Sequence, residues 1–161
     1  RLAEGKLPLR VTHNDTKLNN IMLDEKTRKG ICVIDLDTVM PGLSVNDFGD
    51  SIRFGASTGA EDEPDLTKIS CDLDLFEAYT KGFIEGCAGA LTEEELNQLV
   101  NGAKMMTLEC GMRFLTDYLQ GDVYFKIARP DQNLDRARTQ FTLVQQMEAC
   151  WDELAPEESK L

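Results

Sequence analysis

The chain has 161 residues, about the size of a single domain. Its 17 Lys and Arg face 29 Asp and Glu, a formal charge of −12 that opposes phosphate backbones and argues against nucleic-acid binding. With 42% hydrophobic and 29% charged residues it reads as a folded domain, and no apolar run approaches the roughly 20 residues of a membrane helix.

The chain opens on Arg1 with no starting Met and no apolar leader, which leads us to expect part of a longer, cytoplasmic protein. The first third reads as β and loop. Val11-Thr12-His13, Ile21-Met22-Leu23 and Ile31-Cys32-Val33-Ile34 are short apolar runs, the first and third rich in β-branched residues. The polar residues 24–30 (DEKTRKG) between the second and third fit a hairpin connection, and Met40-Pro41-Gly42 is a turn signal. Residues 55–65 (GASTGAEDEPD) predict a mobile loop.

Everything later predicts helices. Leu73, Phe76, Tyr79 and Phe83 recur at helical steps. Thr92-Glu93-Glu94-Glu95 is a capping box that opens one long helix, striped by Leu96, Leu99, Val100, Ala103, Met106, Cys110, Phe114 and Tyr118 and closed at Gly121. A last helix starts near Asp131 and carries Leu134, Ala137, Phe141, Val144, Met147, Trp151 and Leu154 on one face. The acidic runs Glu61-Asp62-Glu63 and Glu93-Glu94-Glu95 read as solvated surface. Cys32, Cys71, Cys87, Cys110 and Cys150 form no C-x-x-C pair, and His13 is the single histidine, so we expect buried free thiols in a reducing compartment and no zinc site. Strands first and helices after argue against an alternating parallel sheet and for an α+β, mainly helical fold, a short β-hairpin region followed by a helical bundle.

Polar residues gather where the early strands end. His13-Asn14-Asp15-Thr16-Lys17-Leu18-Asn19-Asn20 follows the first strand, and Asp35-Leu36-Asp37 follows the third. A hairpin can bring Asp15, Asn20 and Asp35 to one place. Their oxygens are the hard ligands Mg²⁺ prefers, and a carboxylate free of metal can take a proton from a hydroxyl. The spacing H-x-D-x-x-x-x-N, followed by an Asp at the end of the next strand, is that of kinase catalytic loops. Asp37 fits a second metal or sugar contact or a plain turn residue, and Lys17 fits a phosphate contact or a solvated loop lysine.

The run VTHNDTKLNNIMLDEKTRKGICVIDLDTVMPG resembles the aminoglycoside phosphotransferase and choline kinase superfamily, small-molecule kinases with a protein-kinase-like fold. HNDTKLNN, IDLDTVMPG, NDFGDSIR, RFLTDYLQGDVYF and NLDRARTQF are closest to the N-acetylhexosamine 1-kinase group. The resemblance implies Asp15 as catalytic base, Asn20 and Asp35 as Mg²⁺ ligands, His13 as structural support and Asp47 as a brace for the catalytic loop. It further implies that Arg113, Tyr124 and Phe125 help form a sugar pocket, with ATP as co-substrate.

Such kinases bind ATP between two lobes. No G-x-G-x-x-G, Walker A sequence or V-A-I-K-like strand occurs here. We therefore expect the C-terminal lobe of a protein-kinase-like fold, inactive alone, which partners an N-terminal nucleotide lobe and a sugar or other small-molecule alcohol. Its expected parts are 1–54 for catalytic loop and metal-binding hairpin, 55–66 for the flexible loop, 67–154 for the helical substrate-binding part and 155–161 for a tail. An exposed lobe interface could also pair two copies as a homodimer. Two rival readings remain at this level. One is a non-catalytic pseudokinase or interaction module. The other is a haloacid-dehalogenase-like phosphatase using Asp35 as nucleophile and Asp37 as acid/base, a fold that needs further parallel strands.

Overall fold

The computed structural model describes residues 4–154, so the expected tail over 155–161 lies outside the described residues. Strands β1 (Arg10–Thr12), β2 (Ile21–Leu23), β3 (Gly30–Val33) and β4 (Met40–Gly42) come first. Helices α1 (Ser44–Gly55), α2 (Leu73–Gly86), α3 (Glu93–Asn97), α4 (Leu99–Leu119), α5 (Gln132–Ala149) and α6 (Trp151–Leu154) follow. The fold is α+β and mostly helical.

The four strands make two separate antiparallel pairs, β1 with β4 and β2 with β3. In the second pair Ile21 faces Val33 and Met22 faces Cys32. Its connection closes through Arg28 N–H to Asp24 O at 2.8 Å, with Asp24 Oδ1 accepting from Thr27 N at 2.7 Å. Met40-Pro41-Gly42 is a strand, not the expected turn: Pro41 lies opposite Val11 and Met40 opposite Thr12. A two-stranded pair has only edges, where a proline without an N–H is tolerated.

Helix α1 lies in the stretch that reads as loop. Its apolar residues Val45, Phe48 and Ile52 do stand at helical i, i+3, i+7 steps, a stripe that the reading of the first third as β and loop passes over among Asn, Asp, Gly and Ser. In three dimensions those three enter the main core with Phe76 of α2, Leu99, Val100 and Ala103 of α4, and Leu143 and Met147 of α5. Phe48 packs edge-on against Phe76 and Phe83 at centroid distances of 5.9 and 5.3 Å. Glycines set the α1–α4 spacing. A Cβ at Gly49 would fall 2.3 Å from Gly102 O, and one at Gly102 would fall 2.3 Å from Val45 O. Any larger residue at either position would push the helices apart.

The capping box at Thr92 forms, with Thr92 Oγ1 accepting from Glu95 N at 3.2 Å and Glu95 Oε2 accepting from Thr92 N at 2.8 Å. The expected single helix is broken at Gln98 (φ −99°, ψ 0°) into α3 and α4. The last helix is likewise interrupted at Cys150 between α5 and α6. Glu95 is not solvated surface: it is 1% exposed, and its carboxylate meets Arg10 at 2.6 Å. The thiols also depart from expectation, since Cys110 alone is buried, Cys32 is exposed and the other three are half-buried.

Residues 55–66, read from sequence as a loop, are tied down at several points. Ser57 bridges to Cys71, Glu61 pairs with Arg53 at 2.9 Å, and Gln132 Nε2 donates to Asp62 Oδ2 at 2.9 Å. Arg129 donates to Asp62 O at 2.7 Å.

Candidate functional site

The loop after β1 is clamped by one face of α1. Asp47 and Asp50 are three residues apart, which puts both carboxylates on the same side of the helix. Asp47 Oδ2 accepts from His13 N and Oδ1 from Asn14 N, both at 2.8 Å. Asp50 Oδ2 accepts from Thr16 N at 2.6 Å. Thr16 Oγ1 donates to Asp47 O at 2.5 Å. Three backbone N–H groups of a four-residue loop thus end on two carboxylates. Asn14 adopts a left-handed conformation at φ 63°, which asparagine tolerates better than most residues.

A second set of bonds ties this loop to the chain around β3. His13 Nε2 lies 3.0 Å from Ile34 O, and His13 Nδ1 accepts from Asp15 N at 3.3 Å, which fits the Nε2–H tautomer. Ile34 N donates to Asn20 O at 2.9 Å. Thr38 Oγ1 donates to His13 O at 2.6 Å, and Asn14 Nδ2 to Thr38 O at 2.9 Å. Asp35, next to the doubly held Ile34, sits in a left-handed conformation at φ 63° and is exposed. Asp37 is exposed on the following turn and does not line the cavity beside Asp15.

Asp15 Oδ2 accepts from Lys17 Nζ and from Asn20 Nδ2, both at 2.8 Å. Both bonds fall on one oxygen, which leaves Oδ1 for a ligand hydroxyl. Burial alone would raise the Asp15 carboxyl, but the bonds from Lys17 and Asn20 outweigh it and hold it below the usual carboxylate range. Replacing Lys17 with Met should therefore raise the pH at which the Asp15 carboxyl gains its proton, because the charge that favours its ionised form is gone. NMR titration of the two proteins checks this.

Asn20 is 5% exposed and spends its Nδ2 on Asp15 O and Oδ2, both at 2.8 Å, so its amide oxygen is the group left to accept. No cluster of three or more His, Cys, Asp or Glu suited to a metal occurs among the described residues. Asn20 and Asp35 offer two hard oxygen ligands from neighbouring strand ends. That donor set fits a Mg²⁺ completed by phosphate oxygens and water better than an all-protein cage.

A cavity of about 550 Å³ opens beside Asp15. Its walls include Lys17, Arg53, Arg113, Tyr124, Phe125 and Arg136. Arg113, Tyr124 and Phe125 therefore share a cavity with Asp15 although about 100 residues of chain separate them. The Arg113 guanidinium lies 5.9 Å from the Tyr124 ring centre and 5.3 Å from that of Phe125.

Arg53, Glu61 and Arg136 line the same cavity without having been expected there, although Arg53 closes the run NDFGDSIR and Arg136 stands in NLDRARTQF. Arg53 is 9% exposed, with Nε on Asp50 Oδ1 at 2.7 Å and Nη1 on Glu61 Oε1 at 2.9 Å. Burial works against its charge, and Asp50 and Glu61 more than offset that, so the guanidinium is held protonated more firmly than usual. Glu61 thus holds a buried cation rather than coating the surface. Asp50 could have been found in the sequence as the helical partner of Asp47.

The sheets offer no support for a dehalogenase-type phosphatase, since both are two-stranded and antiparallel among the described residues. No helix is long and apolar enough to cross a membrane among the described residues. Residues 1–80 match the model of the phosphotransferase enzyme family, APH. That span holds His13, Asp15, Asn20, Asp35 and Asp47, and the match supports placing this chain in the aminoglycoside phosphotransferase and kinase-like superfamily.

Proposed function

We propose that this chain is the catalytic and acceptor-binding part of an ATP- and Mg²⁺-dependent small-molecule kinase, acting on a sugar hydroxyl of the N-acetylhexosamine class. The observation that carries the reading is Asp15: an ionised carboxylate with one free oxygen, at the mouth of a cavity, beside Asn20 and the strand end that bears Asp35. Phosphoryl transfer asks mainly for positioning and charge neutralisation. Asp15 orients the acceptor hydroxyl and takes its proton. Lys17, held at Asp15, supplies a cation for the incoming phosphoryl oxygens. Asn20 and Asp35 would hold Mg²⁺, which supplies charge neutralisation for the nucleotide phosphates when bound. Asp47 and Asp50 keep the loop still, so little reorganisation is needed at the moment of transfer.

The nucleotide-binding part belongs to chain outside these 161 residues in this reading. The β2–β3 hairpin and its exit support it. They leave Ile21, Ile31 and Val33 between 39% and 63% exposed on one side of the hairpin, an apolar face that an isolated domain rarely shows. The same face would pair two copies of the isolated chain, and size-exclusion chromatography reads that directly.

The test is a coupled ATP-consumption screen of the parent protein against N-acetylhexosamines, hexoses, choline and aminoglycosides. Turnover with an N-acetylhexosamine supports the reading, and consumption with none of the four sinks it. Asp35→Ala should weaken binding of the Mg²⁺–nucleotide complex at least about 10-fold, because one of two protein ligands is lost. Calorimetric titration with and without Mg²⁺ isolates that effect.

A further inference from the structure

Asp117 lies near the end of α4, 3% exposed, and no step of the proposed transfer uses it. Its carboxylate is nonetheless saturated. Oδ1 accepts from Val123 N at 2.9 Å and Tyr124 N at 2.8 Å. Oδ2 accepts from Phe125 N and from Asn133 Nδ2, both at 2.9 Å. Gly121 at φ 91° and Asp122 at φ 58° turn the chain so that three successive N–H groups converge on one side chain. Asn133 also donates to Asp122 Oδ1 at 2.9 Å, which ties the turn to α5.

Those three N–H groups belong to the segment that carries Tyr124 and Phe125. The Tyr124 ring is 74% exposed, so burial does not hold it in place. It rests edge-on against Phe125 at 4.8 Å, and Phe125 rests on Phe114 at 4.7 Å. Arg113, Tyr124 and Phe125 line the 550 Å³ cavity beside Asp15 and also a second cavity of about 510 Å³ that reaches Thr116, Asp117 and Gln120. These three residues are therefore the partition between two adjoining spaces.

We propose that Asp117 is a positioning residue for the acceptor: by clamping the backbone of residues 123–125 it fixes the Arg113–Tyr124–Phe125 partition, and so sets how large an acceptor is held against Asp15. The inference rests on the kinase reading above. In Asp117→Asn one oxygen becomes an NH₂ facing N–H donors, so at least one clamp bond is lost and the partition loosens. The nucleotide side of the site is untouched.

The experiment compares the parent protein with Asp117→Asn, using N-acetylglucosamine and the disaccharide N,N′-diacetylchitobiose as probes. Amide hydrogen exchange at residues 123–125 should speed up in the variant. The dissociation constant and KM for N-acetylglucosamine should rise about 10- to 100-fold, as expected for a misplaced binding wall. The KM for ATP should stay the same, and the disaccharide should gain relative to the monosaccharide. Asn133→Ala, which removes one of the four donors, should move every readout the same way by less and serves if Asp117→Asn does not fold. Leu119→Ala, at an exposed side chain that lines neither cavity, should change none of them. Faster exchange with unchanged acceptor affinity, or equal rises in KM for ATP and acceptor, overturns the proposal while the kinase reading stands. Acceptor binding that weakens in the variant of a parent without turnover supports the clamp and sinks the kinase. A parent that does not bind N-acetylglucosamine overturns both.

Discussion

Asp15→Asn in the parent protein should lower kcat by about 10²- to 10⁴-fold, the usual contribution of a positioned general base. Nucleotide and acceptor affinities should stay close to those of the unaltered protein. The asparagine keeps the size of the side chain, and its carbonyl oxygen can still accept from Lys17 and Asn20, which hold Asp15 Oδ2 at 2.8 Å. What disappears is the second carboxylate oxygen, the one to which the proposed transfer gives the proton. Steady-state kinetics beside calorimetric binding separates the two effects, and a variant with near-normal kcat would remove Asp15 from the chemistry.

The second large effect is on stability. Glu95 gathers Arg10 Nε at 2.9 Å, Arg10 Nη2 at 2.6 Å, Ser44 Oγ at 2.7 Å and Thr92 N at 2.8 Å on one carboxylate. It joins β1, the start of α1 and the start of α3. The Arg10 bond is the largest influence, burial opposes it, and the carboxyl is lowered from 4.5 to about 2. A group whose pKa is depressed on folding stabilises the fold above its unfolded pKa and stops doing so as pH falls through the folded one. Stability should therefore drop as pH falls from 4.5 toward about 2, by on the order of 2–3 kcal/mol. Glu95→Gln should flatten that limb. Glu95→Ala should cost about 3 kcal/mol at neutral pH, since the Ser44 hydroxyl and the helix start lose their acceptor together. Urea unfolding across this pH range measures both, and an acid limb that survives in Glu95→Gln would assign it to other carboxylates.

The elements near the motifs were legible in the sequence because local chemistry places them. β1 and β3 announce themselves through β-branched runs, the polar stretch between β2 and β3 through its turn residues, and α3 through its capping box. The H-x-D-x-x-x-x-N spacing is readable because it spans only eight residues, and the strand end carrying Asp35 follows at hairpin distance. α1 was missed although Val45, Phe48 and Ile52 keep a helical i, i+3, i+7 spacing, because polar residues outnumber them and the burial of those residues makes sense only against the loop they clamp. The break at Gln98 was missed for a related reason, because the stripe of α4 runs on through it. The polar face of α5, with Asn133 at 0%, Thr139 at 2% and Gln140 at 3% exposure, contradicts a reading by apolar period alone. Asn133 is satisfied there by Asp117 and Asp122, and Thr139 by Glu61 O, partners that no local pattern announces.

From its sequence alone this protein determined its class, its early strands, most of its helices and the run of polar residues from His13 to Asn20 that follows the first strand. All of these follow from spacing along the chain, from φ/ψ preference and from apolar period, which act over a few residues. Tertiary structure alone decided that Asp47 and Asp50 grip the Asp15 loop, that Arg53 and Glu61 face one cavity with Asp15, and that Arg113, Tyr124 and Phe125 line the same cavity. Those arrangements join positions roughly 30 to 110 residues apart in sequence. Hydrogen bonds and ion pairs of that kind form wherever helix packing brings the groups within about 3 Å, and the core that sets the packing is insensitive to which polar residues end up meeting.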